Sequence, residues 1–366
     1  MEIKQYNQIK SYPAFYCYTE DMVLLTEQIY EKNALLLQIT SSIPGIALRQ
    51  YGLSCILDEV QSTNDIEGVY STKKQLREII NGTSNSKRFD SVVQKYIRIL
   101  QNQSIFFNTN EDIRTFYDEF AHNEVIEDNP NNKLDGNLFR KEPVDIANSS
   151  GKTIHQGVFP EEKLCKYMSE SLSILNDTSI PYLVRVSLFH YLFGYIHLFY
   201  DGNGRTDRFI TSYYLSQKFH FSVALRLSIT IKKHRKQYYK LFQDTENAFN
   251  YADLTSFIIG FLSIISHTID DITTTMTRKK EQLTKYNDRI EDMNLSDETL
   301  RQIYHILLQA SLFYGEGLTL TDIMSITGKS RVTVQKRLDS IPNDFLIKMH
   351  RKSYFYKLNL IKLKNL

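Results

Sequence analysis

The sequence has few of the residues that cross-link a chain or anchor it in a membrane. Its three cysteines, Cys17, Cys55 and Cys165, are odd in number, far apart and in no CxxC or Cys/His pattern, which argues against a disulfide scaffold or a zinc site. The apolar runs at 187–200 and 257–267 are shorter than the roughly 20 residues that span a bilayer and fit core helices. The N-terminus lacks the apolar stretch of a signal peptide. The sequence predicts a cytoplasmic protein without membrane contact.

The chain also lacks an excess of positive or negative charge, because the net charge is only +2 over 366 residues. Its distribution is uneven: from Leu318 to the end ten Lys/Arg stand against three Asp, a net charge of +7, so the remainder carries −5. A hydrophobic content of 42% with 23% charged residues is typical of a globular chain. The length predicts about two to three domains.

Apolar residues recur every three to four positions along most of the chain, which predicts a mainly α fold. The predicted regions are an N-terminal helical region at 1–105, a core at 106–272, a helical linker at 273–295 and a C-terminal domain at 296–366. Helices are predicted at 22–41, 46–66, 73–80, 90–103, 110–120, 161–176, 181–198, 204–218, 232–248 and 251–277.

Two segments depart from this helical pattern. Residues 129–160 are rich in Asn, Gly and Pro, and two strand-like pieces, VDIA and TIHQGVF, flank NSSGK, which predicts a β-hairpin. Residues 318–341 predict two helices joined by a turn at TGKS, and the alternating segment FLIKMHRKSYFYKLN predicts the two strands of a wing. The C-terminal domain is therefore predicted to be a winged helix-turn-helix.

The segment HLFYDGNGRTDRF, His197–Phe209, concentrates reactive side chains where a buried helix ends. A turn entering a helix N-terminus presents backbone N–H groups to anions. Arg205 and Arg208 lie three apart, so both can reach one anion. Asp201 suits Mg²⁺ shared with phosphates, and His197 can take a proton near neutral pH. Together these residues predict a di- or triphosphate site with a base beside it.

Each of these residues taken alone has an ordinary explanation: a buried histidine, a surface turn or a solvated helix face. A metal pair of His190 and His197 is disfavoured because no third ligand is apparent. The order of the residues in HLFYDGNGRTDR, His197–Arg208, however, resembles the signature H-x-F-x-[DE]-G-N-G-R-x-x-R of the Fic (filamentation induced by cyclic AMP) family. Leu198 stands in place of a common proline. The resemblance covers roughly residues 50–265. Asp207, where the family often has a small residue, is expected to put a carboxylate near the phosphates.

The resemblance implies a protein adenylyltransferase that uses ATP and Mg²⁺. His197 would deprotonate a Ser, Thr or Tyr hydroxyl of a target protein, Phe199 would anchor the loop, and Asp201 would hold Mg²⁺. The hairpin, about 143–159, would pair with the target as an added strand. The remaining roles implied are α/β-phosphate binding by Gly202, Asn203 and Gly204, β-phosphate binding by Arg205, and γ-phosphate binding by Arg208.

A second stretch, STNDIEG at 62–68, is similar to the family's inhibitory motif through Thr63, Glu67 and Gly68. Thr63 and Glu67 lie four apart and share a helix face. The resemblance implies that Glu67 pairs with Arg208 when ATP is absent and so holds the enzyme inactive. Without the signature segment, STNDIEG would be an ordinary helix end.

Three alternatives to this reading are left open. Glu67 could instead orient water that removes AMP from a modified protein, or the same site could transfer another phosphate-containing group. The chain could also be a DNA-binding regulator whose core senses nucleotide, since residues 318–366 are basic. Winged helices serve protein contacts and dimerisation as well, so a homodimer is left open too.

Overall fold

The structure, a computed structural model, describes residues 1–4, 11–84, 87–147, 153–350 and 352–364. It is mainly α-helical, which confirms the predicted fold class. The chain forms two compact units. Unit 1 comprises Met1–Asn33, Ile56–Ile79 and Ser84–Asp270, and unit 2 comprises Ala34–Cys55, Ile80–Thr83 and Asp271–Leu366.

Within its described residues, the N-terminal region contains a small antiparallel sheet and four helices. Its elements are β1 (Glu2–Lys4), β2 (Ser11–Pro13), α1 (Glu20–Ser41), α2 (Gly45–Ile66), α3 (Lys73–Ile80) and α4 (Asp90–Leu100). Helix α2 ends before Gly68, whose φ of 74° is the left-handed conformation common after a helix. The side chain of Thr72 accepts a hydrogen bond from the backbone N–H of Gln75 at 3.2 Å and caps α3.

The central region contains the predicted hairpin between helices. Its elements are α5 (Asn110–Tyr117), α6 (Asn123–Asp128), β3 (Asp145–Ala147), β4 (Thr153–Gln156), α7 (Glu161–Asn176), α8 (Tyr182–Ile196), α9 (Asn203–Ser216), α10 (Phe221–Ala224), α11 (Leu227–Lys233) and α12 (Arg235–Thr245). Strands β3 and β4 are antiparallel, with Ile146 opposite His155. The predicted connection, 148–152, lies outside the described residues. A π-helical turn, Asp118–His122, joins α5 to α6, so helical structure continues beyond the predicted end at 120.

Helix α8 occupies the centre of unit 1 because it is apolar on almost every side. Its side chains include Leu183, Phe189 and Phe193, all of them fully buried. It packs between α7 and α9. A helix that is apolar all round is a core helix, so α8 holds the start of the signature segment in the interior of unit 1.

Two of the predicted helices are wrong in extent. The single helix predicted at 232–248 is two helices, because His234, with φ −106° and ψ 26°, leaves the helical conformation between α11 and α12. The predicted helix at 251–277 begins only at Thr255, since Tyr251 and Ala252 have positive φ.

Helix α13 (Thr255–Asp292) continues without a break through most of the segment predicted as a linker. By length and composition α13 could cross a membrane. In the structure, however, most of its apolar residues between 257 and 276 are buried inside the protein, as in a core helix.

Unit 2 ends in a compact group of helices around a three-stranded sheet. Its elements after α13 are α14 (Glu298–Phe313), β5 (Leu318–Thr319), α15 (Leu320–Thr327), α16 (Arg331–Ser340), β6 (Leu346–His350), β7 (Tyr354–Leu358) and α17 (Leu360–Lys364). The strand order is β5-β7-β6, antiparallel throughout. Gly328, at φ 66°, ends α15, and the side chain of Ser330 caps α16.

Candidate active site

His197 stands where helix α8 ends. Its backbone is left-handed, with φ 57° and ψ 67°, and its N–H still bonds to the carbonyl of Phe193 at 3.1 Å. Its Nδ1 lies 3.4 Å from the Gly194 carbonyl, an atom that can only accept. A proton on Nδ1 leaves Nε2 as the free base, which is the arrangement that proton abstraction from a hydroxyl requires.

The surroundings of His197 keep its ring neutral. Enclosure by protein, together with the positive charges of His155 and Arg140, lowers its pKa from 6.5 to about 3. Above that pH the ring is neutral and the lone pair of Nε2 is free of a proton. His197 is therefore in the state that a general base needs throughout the neutral range.

The turn after His197 is braced by aromatic stacking and by an amide. Phe199 is fully buried, and its ring lies 3.7 Å from that of Tyr117 between centroids. Tyr117 also donates a hydrogen bond to the Asp201 carbonyl at 3.1 Å. The sequence predicts a phosphate contact for Asn203, but its side-chain amide bonds both the N–H and the carbonyl of Phe199, at 2.9 and 2.7 Å. These two bonds hold the turn in place, and the side-chain amide keeps one further N–H group.

Asp201 and Gly202 open the first turn of α9. Gly202 is the residue before the helix, and its N–H donates to the carboxylate of Asp201. Asp201 is partly exposed. Among the described residues no group of three or more His, Cys, Asp or Glu could enclose a metal ion. A single carboxylate fits Mg²⁺ shared with substrate phosphates, because Mg²⁺ keeps several waters and needs few protein ligands.

Arg205 is buried in α9 with only part of its hydrogen-bonding capacity used. Its Nη1 lies 3.1 Å from Oε2 of Glu124, and both side chains are almost fully buried. Its Nε and Nη2 are buried without a hydrogen-bond partner in the described part of the chain. Unpaired buried donors on a cation are costly, so this guanidinium fits an anion such as a phosphate.

Arg208 is paired with both polar residues of the STNDIEG stretch. Its Nη2 lies 2.7 Å from Oε1 of Glu67, and its Nε donates to Oγ1 of Thr63 at 2.9 Å. Burial opposes the charge of Arg208, but the charge and hydrogen bond of Glu67 raise its pKa above the ordinary value. The structure thus brings Thr63 and Glu67 together with Arg208, although Thr63 and Arg208 are 145 residues apart in the sequence.

The Glu67 carboxylate also fills the space beside Gly204. A Cβ at Gly204 would lie 2.2 Å from Oε1 of Glu67 and 2.9 Å from Nη1 of Arg208. Gly204 is the second residue of α9, where free backbone N–H groups and the helix dipole favour an anion. In this structure the anion at that helix end is the side chain of Glu67.

The expectation for Asp207 is wrong. Its carboxylate lies in the core, 3.1 Å from Nδ1 of His190, and accepts a hydrogen bond from Thr211. Burial raises its pKa above the ordinary value, against the charge of His190. His190 in turn contacts the Tyr238 hydroxyl at 2.8 Å, so both residues serve a buried polar network rather than phosphates or a metal.

Sequence reasoning missed two charged residues of the site. Glu124, partner of Arg205, lies in a short polar helix, and Arg140 is fully buried beside His197. The guanidinium of Arg140 donates to the carbonyls of His197, Glu142 and Val158 at 2.9, 2.6 and 2.8 Å. No periodicity marks either residue, although Arg140 ends the irregular stretch just before the predicted hairpin.

The geometry defines a helical domain with an anion site at a helix N-terminus and a neutral imidazole beside it. Residues 110–215 match the family model described as Fic/DOC family, and the chain therefore contains a Fic/DOC domain. Such a domain implies modification of proteins by nucleotidyl transfer.

Solved structures similar to this chain include three Fic proteins. A Fic family protein from Desulfovibrio desulfuricans G20 is 18% identical, with 95% of this chain and 98% of that chain covered and a TM-score of 0.57, which shows a shared fold. Fic-1 from C. elegans, residues 134–508, is 19% identical over 70% of this chain and 74% of that chain, with a TM-score of 0.44. A Fic domain containing signaling protein from Bacteroides thetaiotaomicron VPI-5482 is 14% identical over 72% and 97%, with a TM-score of 0.47.

Proposed function

We propose that the chain is a cytoplasmic protein adenylyltransferase that transfers AMP from ATP to a protein hydroxyl. The observation that carries the proposal is the anion site at the start of α9. There a carboxylate lies 2.7 Å from Arg208, and Arg205 has two buried N–H groups without partners among the described residues. Both features fit the charge of a triphosphate.

Each side chain of the site has a separate role in the proposed reaction. Nε2 of His197 takes the proton of the target hydroxyl, whose oxygen bonds to the α-phosphorus while the bond to the β-phosphate oxygen breaks and pyrophosphate leaves. Arg205 and Arg208 hold the β- and γ-phosphates, and the amides of Gly202 and Gly204 lie nearest the α/β-phosphates. Asp201 would hold Mg²⁺, which neutralises phosphate charge when bound. The hairpin would position the target backbone as an added strand.

The same geometry supports inhibition by Glu67. One guanidinium cannot serve both the Glu67 carboxylate and a γ-phosphate, so the ion pair and productive ATP binding compete for Arg208. Removal of AMP by water oriented by Glu67 is the alternative reaction for this site, and transfer of another phosphate-containing group uses the same residues.

The decisive experiment replaces His197, the proposed base, in a protein that lacks the Glu67 carboxylate. In a Glu67→Gly background, His197→Ala should lower AMP transfer from α-labelled ATP to lysate proteins by about 10²- to 10⁴-fold, with ATP affinity retained. The matched control is His267→Ala, an exposed histidine of α13, which should leave transfer unchanged. Undiminished transfer by folded His197→Ala protein would contradict the proposal.

A second candidate function is nucleic-acid contact by the C-terminal region, which we propose to be a winged helix-turn-helix at 296–366. Lys329, Arg331 and Lys336 are exposed on or next to α16. Arg337 is not equivalent, since its Nη2 lies 2.8 Å from Asp297. Three exposed cations at one helix fit the phosphates of a duplex.

This candidate is tested by salt dependence. Binding to arbitrary duplex should weaken as salt rises, and replacing Lys329, Arg331 and Lys336 by Gln should reduce the slope of log K against log salt by about 3. Arg337→Gln is the control and should leave the slope nearly unchanged. Absence of duplex binding at low salt would exclude this function in favour of protein contact or dimerisation.

A further inference from the structure

The last carbonyls at the end of helix α8 are capped by the hairpin and by a residue at its base. Helix termini leave their last carbonyls without partners inside the helix. Here three successive carbonyls accept hydrogen bonds: Tyr195 from Nε2 of His155 at 2.7 Å, Ile196 from the N–H of Val158 at 3.1 Å, and His197 from Nε of Arg140 at 2.9 Å. The proposed base is thus attached to the hairpin that would dock the target.

His155 is the member of this cap whose charge can change. It lies on β4 and is buried, with Nδ1 2.8 Å from Oε2 of Glu246 and Nε2 at the Tyr195 carbonyl. A carbonyl and a carboxylate only accept hydrogen bonds. Both ring nitrogens therefore carry protons, and His155 is an imidazolium when Glu246 is ionised. A cation at a helix C-terminus is also favoured by the helix dipole.

The charges around His155 support the protonated state. Burial lowers its pKa, but the hydrogen bond and charge of Glu246, with the Tyr195 carbonyl, hold the pKa above the ordinary value of 6.5. The other titratable or charged groups that face the pair among the described residues are Arg140, Tyr191, Tyr195 and His197. Of these only Arg140 opposes the charge of His155 at neutral pH.

We propose that protonated His155, with Glu246, is a positioning residue that holds the base of the hairpin against the end of α8 and so fixes the place of His197. Gly157 shows how close the two segments are, because a Cβ there would lie 3.2 Å from Cβ of His197. Loss of the proton removes one donor and the charge that Glu246 holds, and loosens the hairpin from the helix. The consequence for transfer rests on the proposed function; the structural coupling does not.

The pH dependence follows from the signs of the two shifts. The pKa of His155 is raised, so its contribution is complete below the ordinary pKa of 6.5 and is lost as the pH rises through the raised value. The pKa of His197 is lowered to about 3, so His197 does not titrate in the same range. An alkaline decline in hairpin attachment, and in transfer, is therefore assigned to His155.

The structural test needs no enzymatic activity. In the full chain at pH 6.5, His155→Gln and Glu246→Gln should accelerate hydrogen exchange of the Val158 amide and of residues 195–198 about tenfold, the equivalent of one net hydrogen bond. His305→Gln is the matched control, because His305 also bonds a carboxylate, Glu291 at 2.9 Å, but lies in unit 2. Unchanged exchange in both His155→Gln and Glu246→Gln, or a neutral His155 ring by ¹⁵N NMR at pH 6.5, would overturn the proposal.

The kinetic test uses the Glu67→Gly background. The kcat for AMP transfer should fall on the alkaline side with KM for ATP unchanged, the fall should move to lower pH in Glu246→Gln, and it should vanish in His155→Gln. An alkaline fall that persists in His155→Gln would overturn the positioning role. If no variant transfers AMP, the proposed function fails, while hydrogen exchange still decides whether His155 couples hairpin and helix.

Discussion

The two arginines of the signature segment meet carboxylates in different surroundings. Arg205 and Arg208 are both about 1% exposed, but the side chain of Glu124 is 5% exposed and that of Glu67 is 26% exposed. Glu124 also accepts the N–H of Phe89 at 3.0 Å. Glu67 directly follows the last residue of α2 and reaches the start of α9.

The difference separates a permanent pair from a replaceable one. Glu124 is fixed on both sides, so Arg205 stays paired and presents its remaining N–H groups to a ligand. Water reaches Glu67, so its carboxylate can move into solvent. A phosphate that takes its place keeps the buried charge of Arg208 paired. A helix-end carboxylate in contact with solvent is suited to exchange with a phosphate, whereas one fixed in the interior is suited to hold an arginine in place.

The largest expected effect is on stability. Arg205→Ala leaves Glu124 buried without its cation and should lower the free energy of unfolding by about 3–5 kcal/mol, much more than Arg208→Ala. Burial raises the pKa of Glu124 to about 7 even beside Arg205, and loss of the cation should raise this pKa further. In Arg205→Ala the loss of stability should therefore grow from pH 6 to pH 8, because the carboxyl is ionised in the unfolded chain but stays protonated in the folded variant. Urea unfolding at both pH values measures this, with exposed Lys240→Ala as the control. Equal losses for the two arginines would show that the pairs do not differ.

A smaller effect, on activity, is expected from removing the replaceable carboxylate. Glu67→Gly should raise AMP transfer and self-labelling about ten- to a hundredfold, since a charge-assisted hydrogen bond contributes roughly 1.5–3 kcal/mol. Glu67→Gln should retain most of the gain, because the competing group is the charge. Assays with ATP plus target and with AMP-modified target separate the two reactions. Loss of AMP removal without a gain in transfer would favour the hydrolytic alternative.

The smallest effect is expected at Thr63. Thr63→Val keeps the shape of the buried side chain but removes the hydroxyl that accepts from Nε of Arg208. The hydroxyl carries no charge, so it competes with a phosphate for Arg208 less strongly than the Glu67 carboxylate does, and transfer should rise only about two- to tenfold in isotope-labelling assays. A gain as large as that of Glu67→Gly would mean that Thr63, and not the ion pair, controls Arg208.

Some residues of the site could be predicted from the sequence as neighbours, and the reason is simple. Local spacing places Arg205 and Arg208 on one face of α9, and a recognisable motif places Glu67 beside them. Asp207 was misjudged because nearness in sequence was taken for nearness in space: two residues after Arg205 on a helix it points about 200° away, into the core.

Glu124 and Arg140 could not be predicted for a different reason. Their contacts span 81 and 57 residues, and burial of a charged side chain leaves no periodic pattern in the sequence. The uninterrupted α13 was likewise hidden, since its second half is polar and reads as a linker when considered alone. The hairpin strands were predictable because turn residues flank short β-branched runs.

The left-handed backbone of His197 has a consequence for the evolution and engineering of this site. A non-glycine residue in that conformation is disfavoured by roughly 1 kcal/mol, and the structure places the proposed base there, at φ 57°. His197→Gly should therefore be inactive yet as stable as the native chain or more so, which an unfolding titration can measure. Selection for stability alone would therefore favour glycine at this position, and the proposed role of His197 as a base accounts for the histidine there.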